Sequence, residues 1–219
     1  MQSSKKHLLI WSLIMFGFGP TACSRANVDY KTFPDPKADL TVAADAGPQT
    51  MIIAGGCFWC TEAVFQNVKG VQKVVAGYCG DSKETADYET VCSEKTNHAE
   101  AIQITYDPKV TSYGKILKIF FSIAHDPTQL NGQGADIGRS YRSAIFYDTD
   151  DQKKVAEAYI KQLNDANVFG VPVVTTVEKD TGFFLAEDYH QNYARLHPSQ
   201  PYIARNALPK VDKVVKAQQ

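Results

Sequence analysis

From residue 51 to residue 177 the apolar positions fall into short blocks of two kinds. The blocks at 51–54, 71–78, 99–106, 143–147 and 171–177 are rich in β-branched and aromatic residues, which predicts five strands. Three others repeat with a helical period. Over 57–69, Cys60, Val64 and Val68 share one face and Gly70 stands where a C-cap is expected. A second helix is predicted over 112–124, stopped by Asp126-Pro127. A third runs over 150–164, opened by Thr149 with Gln152 three positions later, the pattern of a capping box. Strands and helices without strict βαβ alternation predict an α+β fold, a mixed sheet with helices packed on it. The first strand ends in Gly55-Gly56 and runs directly into the first helix. Cys57 is therefore predicted in that helix's first turn.

The flanks have a different pattern. Lys5 and Lys6 precede the apolar stretch 8–18, and Gly19, Pro20 and the small residues Thr21 and Ala22 lead to Cys23. This is the layout of a secretory signal, shorter than the roughly 20 apolar residues of a transmembrane helix. The small residues before a cysteine predict a lipoprotein-type signal peptide over 1–22 with lipidation at Cys23, although Pro20 stands where Leu is usual. Cleavage after Ala22 or Ala26, giving a soluble secreted protein, is the alternative. Residues 23–50 are polar and carry Pro34, Pro36 and Pro48, which predicts a tether. The folded domain is expected over 51–200 and a C-terminal tail over 201–219. Together these features predict an exported protein, periplasmic and lipid-anchored to a bacterial envelope membrane.

Composition narrows the function. With 44% hydrophobic residues, the 219-residue chain can bury one ordinary core. Lysine and arginine total 23 against 24 acidic residues and are spread along the chain, so no nucleic-acid partner is expected. Export implies an oxidising compartment, in which paired cysteines tend to become disulfides. Apart from Cys23, the cysteines are Cys57, Cys60, Cys79 and Cys92.

The stretch Gly56-Cys57-Phe58-Trp59-Cys60-Thr61-Glu62 is the densest chemistry in the chain. Its cysteine pair is compatible with a zinc site, a structural bridge or redox work. Zinc needs a second pair at similar spacing, and Cys79 and Cys92 are too far apart. A c-type haem needs His where Thr61 stands. At a helix N-terminus, free N–H groups and the macrodipole favour a thiolate, which makes Cys57 a candidate nucleophile. Cys60, one turn on and on the same face, is placed to attack an oxidised Cys57. Phe58 and Trp59 either pack into the core or line an apolar pocket beside the thiol.

In the strand 99–106, Glu100 has the parity of Ile102, Ile104 and Tyr106. If that face is buried, desolvation raises the carboxyl pKa and makes Glu100 a proton donor near pH 7. The alternative is a strand-end carboxylate that reaches solvent.

The segments GCFWCTE (56–62), GYCG (77–80), YETVCS (88–93), HAE (98–100), HDPTQ (125–129), QGADIG (133–138), YRS (141–143) and AEDYHQ (186–191) together resemble the A-type peptide methionine sulfoxide reductases. The resemblance implies a two-layer α+β sandwich of the ferredoxin-like plait type. It also implies reduction of methionine S-sulfoxide, in proteins and as the free amino acid. Cys57 is then the attacking thiolate, Glu100 the acid that protonates the oxygen, and Tyr88 and Tyr141 its hydrogen-bond donors. Phe58 and Trp59 hold the sulfoxide methyl, and Asp136 supports the site. The implied partners are oxidised proteins and peptides and a thioredoxin-like reductant, with no bound cofactor or metal.

The sequence departs from the family pattern at Asn97, Gly132 and Ala135, and no cysteine follows Cys92. Recycling therefore falls to Cys60, Cys79, Cys92 or an external thiol. Proximity makes Cys60 the expected resolving thiol, with Cys79 and Cys92 expected as small buried residues. The rival readings are a thiol-disulfide oxidoreductase and a zinc or structural module. Against the former, thioredoxin-like motifs place an aromatic before the first cysteine, where this chain has Gly56.

Overall fold

The structure, a computed structural model, describes residues 29–219. The predicted signal peptide and the Cys23 anchor lie outside the described residues. In chain order the elements are β1 (Gln49–Gly55), α1 (Phe58–Phe65), β2 (Val71–Cys79), α2 (Tyr88–Cys92), β3 (Ala99–Tyr106) and α3 (Tyr113–Ile119). After them come β4 (Gly132–Gln133), β5 (Asp136–Ile137), β6 (Ser143–Tyr147), α4 (Asp150–Asp165), β7 (Thr176–Lys179) and β8 (Phe183–Leu185). The chain closes with α5 (Tyr193–Leu196), α6 (Pro201–Asn206) and α7 (Leu208–Ala217).

Six strands form one sheet in the order β7-β6-β1-β3-β2-β8, and β4 and β5 form a separate small hairpin. All neighbours in the large sheet are antiparallel except β6 and β7. The mixed α+β class is thus as the sequence predicts. Alternation along β3 sorts the core. Ile102, Ile104 and Tyr106 join the main apolar cluster, with Phe58, Val64 and Phe65 of α1, Ile116 and Leu117 of α3, and Tyr159 of α4. Ala99 and Ala101 face a second, smaller cluster with Ala54 and Phe146. Small residues on that second face leave most of the apolar burial to the helix side.

Several elements begin and end where local chemistry dictates. Gln152 N–H donates to Thr149 Oγ1 across 3.3 Å while the Gln152 side chain accepts from Thr149 N–H, the reciprocal capping box expected at α4. Ser112 caps α3, which continues into a π turn over Phe120–Ala124. α1 stops at Phe65, earlier than predicted, because Asn67 and Val68 N–H turn back to Val64 and Phe65 carbonyls in tighter turns. The strand predicted at 171–177 starts only at Thr176. Upstream, Val173 N–H goes to the Asn164 side chain and Val174 N–H to the Pro127 carbonyl, so that stretch has no sheet partner.

Both flanks differ from expectation. Over residues 29–48 the predicted tether is a docked strap. Phe33 is 3% exposed within the main core, Tyr159 Oη donates to the Pro34 carbonyl, and Lys118 pairs with Asp35. Asp39 accepts from Gly114 N–H at the start of α3. An aromatic side chain and correctly spaced carboxylates suffice to fasten a chain whose composition is otherwise loop-like. Residues 201–219, expected as a tail, are helical, with Ile203, Ala207 and Val214 fully buried. α6 is too short for its period to stand out, whereas Leu208, Val211 and Val214 do share one face of α7, a period the sequence reading passed over.

Candidate active site

The strand-to-helix junction puts Cys57 at the N-cap of α1. Gly56 just before it has φ +83°, and a Cβ there would meet the Gln133 side chain at 2.5 Å, so only glycine permits the turn. Glu100, opposite Tyr78 in the β2–β3 register, projects from the helix-covered face of the sheet and is 3% exposed. Its Oε2 accepts from Phe58 N–H across 2.9 Å. Burial pushes the Glu100 pKa up to about 8, and the Phe58 bond only partly offsets it. Near neutral pH this group is a carboxylic acid.

The thiols depart from the expectation that Cys57 is the lowered one. Cys57 and Cys60 are both buried and hydrogen-bond to each other. That bond and burial raise Cys57 well above the ordinary thiol value. Cys60 is lowered, first by the bond from Cys57 and then by Lys210 and Tyr202, against the penalty of burial. The helix start does not offset these effects, because the N–H of Phe58, which sequence reasoning offered to the thiolate, is taken by Glu100. In the resting pair Cys57 is held as the thiol, and Cys60 is the more readily ionised of the two.

Phe58 is completely buried, 5.8 Å from Tyr78 and 4.9 Å from His190 between ring centroids. Trp59 is half-buried and stacks on Tyr193 at 3.9 Å. Its indole N–H donates to His190 Nδ1 across 3.2 Å. Tyr88 opens α2, its ring 4.6 Å from His190. Tyr141 ends a short 3-10 turn and packs on the cluster of Cys57 and Cys60. Burial raises both phenols above the ordinary tyrosine value, so each remains a hydrogen-bond donor.

The segment 186–191 clamps these groups, and the individual roles of its residues were not readable in advance. Glu187 accepts from Tyr78 Oη and from Tyr88 N–H, each across 2.9 Å. Gln191 bonds both the N–H and the carbonyl of Ala76, acting as a substitute strand partner. Next to it, Asn192 N–H donates to Glu62 Oε1, a carboxyl 1% exposed whose pKa burial raises to about 7. The signal available was the resemblance of AEDYHQ to the family pattern, which marked the segment without assigning its residues.

On the other side the thiols open into a cleft of about 260 Å³ between α1, the β4–β5 hairpin and α6–α7. Asp136 accepts a hydrogen bond from Tyr202 Oη, which also lies 3.9 Å from Cys60 Sγ. Tyr202 and Lys210 come from the presumed tail and were missed. Gly132 fits the hairpin closely, since a Cβ there would lie 2.9 Å from the Asp136 carbonyl. Cys79 is buried and bonded to Asp180. Cys92, expected buried, is exposed, because the five-residue α2 buries only Val91.

The family model described as peptide methionine sulfoxide reductase matches residues 49–219. Among curated relatives, the Mesorhizobium japonicum peptide methionine sulfoxide reductase MsrA 2 is 52% identical over 168 residues, 77% of this chain and 86% of that one. MsrA of Deinococcus radiodurans is 50% identical over 169 residues, 77% and 82% of the two chains. Among solved structures, reduced Mxr1 of Saccharomyces cerevisiae superposes with a TM-score of 0.65 at 31% identity, covering 75% of this chain and 92% of that one. Methionine sulfoxide reductase A of Corynebacterium diphtheriae gives 0.60 at 30% identity, covering 75% and 82%. With a match from the first strand to the last residue, and a buried acid beside a paired thiol, this chain belongs to the peptide methionine sulfoxide reductase family.

Proposed function

We propose that this protein reduces methionine sulfoxide in oxidised proteins and peptides to methionine, with Cys57 as nucleophile and Glu100 as acid. One observation carries the assignment: the buried, neutral Glu100 is bonded to the first N–H of the helix that presents the thiols. A sulfoxide sulfur is a poor electrophile until its oxygen is protonated or strongly hydrogen-bonded. Glu100 supplies that proton, and Tyr88 and Tyr141 hold the oxygen. Cys57 gives up its thiol proton and attacks sulfur as the thiolate, oxygen passes to the cysteine, and methionine leaves, with Cys57 now a sulfenic acid and Glu100 a carboxylate. The Cys60 thiolate displaces the oxygen as hydroxide, which takes a proton to become water, and a Cys57–Cys60 disulfide forms. A thioredoxin-type dithiol then reduces it. Trp59 and Phe58 form the wall against the sulfoxide methyl, and the S epimer at sulfur is the substrate. Thiol–disulfide exchange has no oxygen that must be protonated before the sulfur can be attacked.

The test is incubation with each methionine sulfoxide epimer and dithiothreitol, with methionine as readout. Methionine from the S epimer, and none from the Cys57→Ser variant, is the expected result. No methionine from either epimer overturns the proposal.

We also read the fold as a ferredoxin-like plait, supported by the order β6-β1-β3-β2 with α1 between β1 and β2 and α3 between β3 and β6. Export and lipid anchoring at Cys23 rest on the sequence pattern of residues 5–23. Mass spectrometry of the protein from a membrane fraction tests them: an unmodified Cys23 removes the anchor.

A further inference from the structure

Resolution of a sulfenic acid needs a second thiol that is ionised and close. The cleft beside Cys57 and Cys60 is closed by α6 and α7, and Lys210 of α7 lines it together with both thiols, Tyr202 and Asp136. We propose that Lys210 is a positioning residue for the second half-reaction, its cation holding Cys60 as the thiolate that attacks the Cys57 sulfenic acid. This rests on the reading of Cys60 as resolving thiol.

The surroundings of Cys60 make one cation matter. Cys57 faces it from α1, Tyr202 from α6, Lys210 from α7 and Asp136 from β5, while Asp126 lines the same cleft and Glu100 lies behind Cys57. The phenols Tyr141 and Tyr193 pack on the same cluster. Cys60 is 3% exposed, so its anion receives little solvation from water and must be stabilised by protein groups. In the resting state a bond from Cys57 does part of this. Once Cys57 is a sulfenic acid that thiol donor is gone, and Tyr202 and Lys210 remain as the stabilising groups on α6 and α7. Tyr202 is already engaged with Asp136. Attack forms the S–S bond, breaks the Cys57 S–O bond and expels hydroxide, which is protonated to water. As the S–O bond breaks, the negative charge developing on that oxygen also faces the cleft that Lys210 lines.

The magnitude follows from thiol reactivity. Losing the cation raises the Cys60 pKa, and each unit cuts the thiolate fraction tenfold at neutral pH while raising intrinsic nucleophilicity about threefold, a net slowing of roughly threefold. Above the raised pKa the thiol is ionised regardless, and the deficit disappears.

The experiment is a single turnover of the full chain with methionine S-sulfoxide, quenched over time, in wild type, Lys210→Met and Lys210→Arg. Methionine is measured for the first step and the Cys57–Cys60 disulfide, by peptide mapping, for the second. Lys210→Met is expected to slow disulfide formation at pH 7 at least threefold more than it slows methionine formation, with the deficit vanishing at high pH and Lys210→Arg restoring the wild-type profile. Equal slowing of both steps, or a deficit independent of pH, overturns the proposal, since a loosened α7 would do the same. If wild type forms methionine but no Cys57–Cys60 disulfide, the assignment of Cys60 fails and takes the role of Lys210 with it. If that disulfide forms equally fast in Lys210→Met, only the role of Lys210 fails.

Discussion

The main-chain N–H of Phe58 donates to Glu100 Oε2 across 2.9 Å, tying the start of α1 to a carboxyl on β3 that is forty-two positions distant in sequence. The bond orients the acid and occupies the helix N–H that would otherwise stabilise a Cys57 thiolate. Two expectations about one site are thereby coupled: Glu100 is a poised acid, and Cys57 rests as a thiol.

The acid should be visible in kinetics. Glu100→Gln keeps the acceptor for Phe58 N–H but has no acidic proton, so single-turnover methionine formation is expected to fall about a hundredfold or more with the unfolding midpoint little changed. In the wild type the required form is the protonated one, with a pKa of about 8. The Glu100 contribution is therefore fully present well below that value and declines as pH rises through it. Unaltered kinetics in Glu100→Gln would remove the residue from the mechanism.

Cys60→Ser separates the two half-reactions. The variant is expected to make a single burst of methionine and then stall with a thioredoxin-type reductant, because no neighbouring thiol displaces the sulfenic oxygen. Turnover at the wild-type rate shows that another thiol resolves Cys57. Exposed Cys92 is then the first to examine.

Buried Glu62 predicts a pH dependence of stability. Its pKa is raised to about 7 in the folded protein, against about 4.3 for an unfolded chain. Between those values the folded state binds the proton more tightly, so the contribution is fully present below the lower one and is lost as pH rises through the upper. Glu62→Gln should flatten part of the fall in unfolding free energy between pH 5 and pH 8, the rest belonging to Glu100. Urea titrations at several pH values measure this. Parallel curves for variant and wild type contradict it.

The strap is a stability element. Phe33→Ala removes a core ring and is expected to cost about 3 kcal/mol in urea unfolding. The strap's hydrogen bonds go to α4, to Gly114 in α3 and to the α3 cap Ser112, so the rate of methionine formation should not change below the unfolding transition. A loss of activity without a loss of stability would place the strap in communication with the site.

Local pattern determined a great deal. Runs of β-branched and aromatic residues identified the strands at 51–54, 71–78, 99–106 and 143–147, and the capping box fixed the start of α4. The strand-to-helix junction put Cys57 at a helix start, and parity alone aimed Glu100 at the apolar face. These features depend on residues a few positions apart, and backbone geometry converts such spacing directly into orientation. Tertiary structure decided the rest. Trp59 is held by His190, and Cys60 sits beneath Tyr202 and Lys210, over separations of more than a hundred residues that leave no period in the chain. Which thiol ionises more readily was likewise undecidable locally. A helix N-terminus favours an anion in general, but here a carboxyl from another strand takes the first N–H while a lysine from the last helix favours the second thiol.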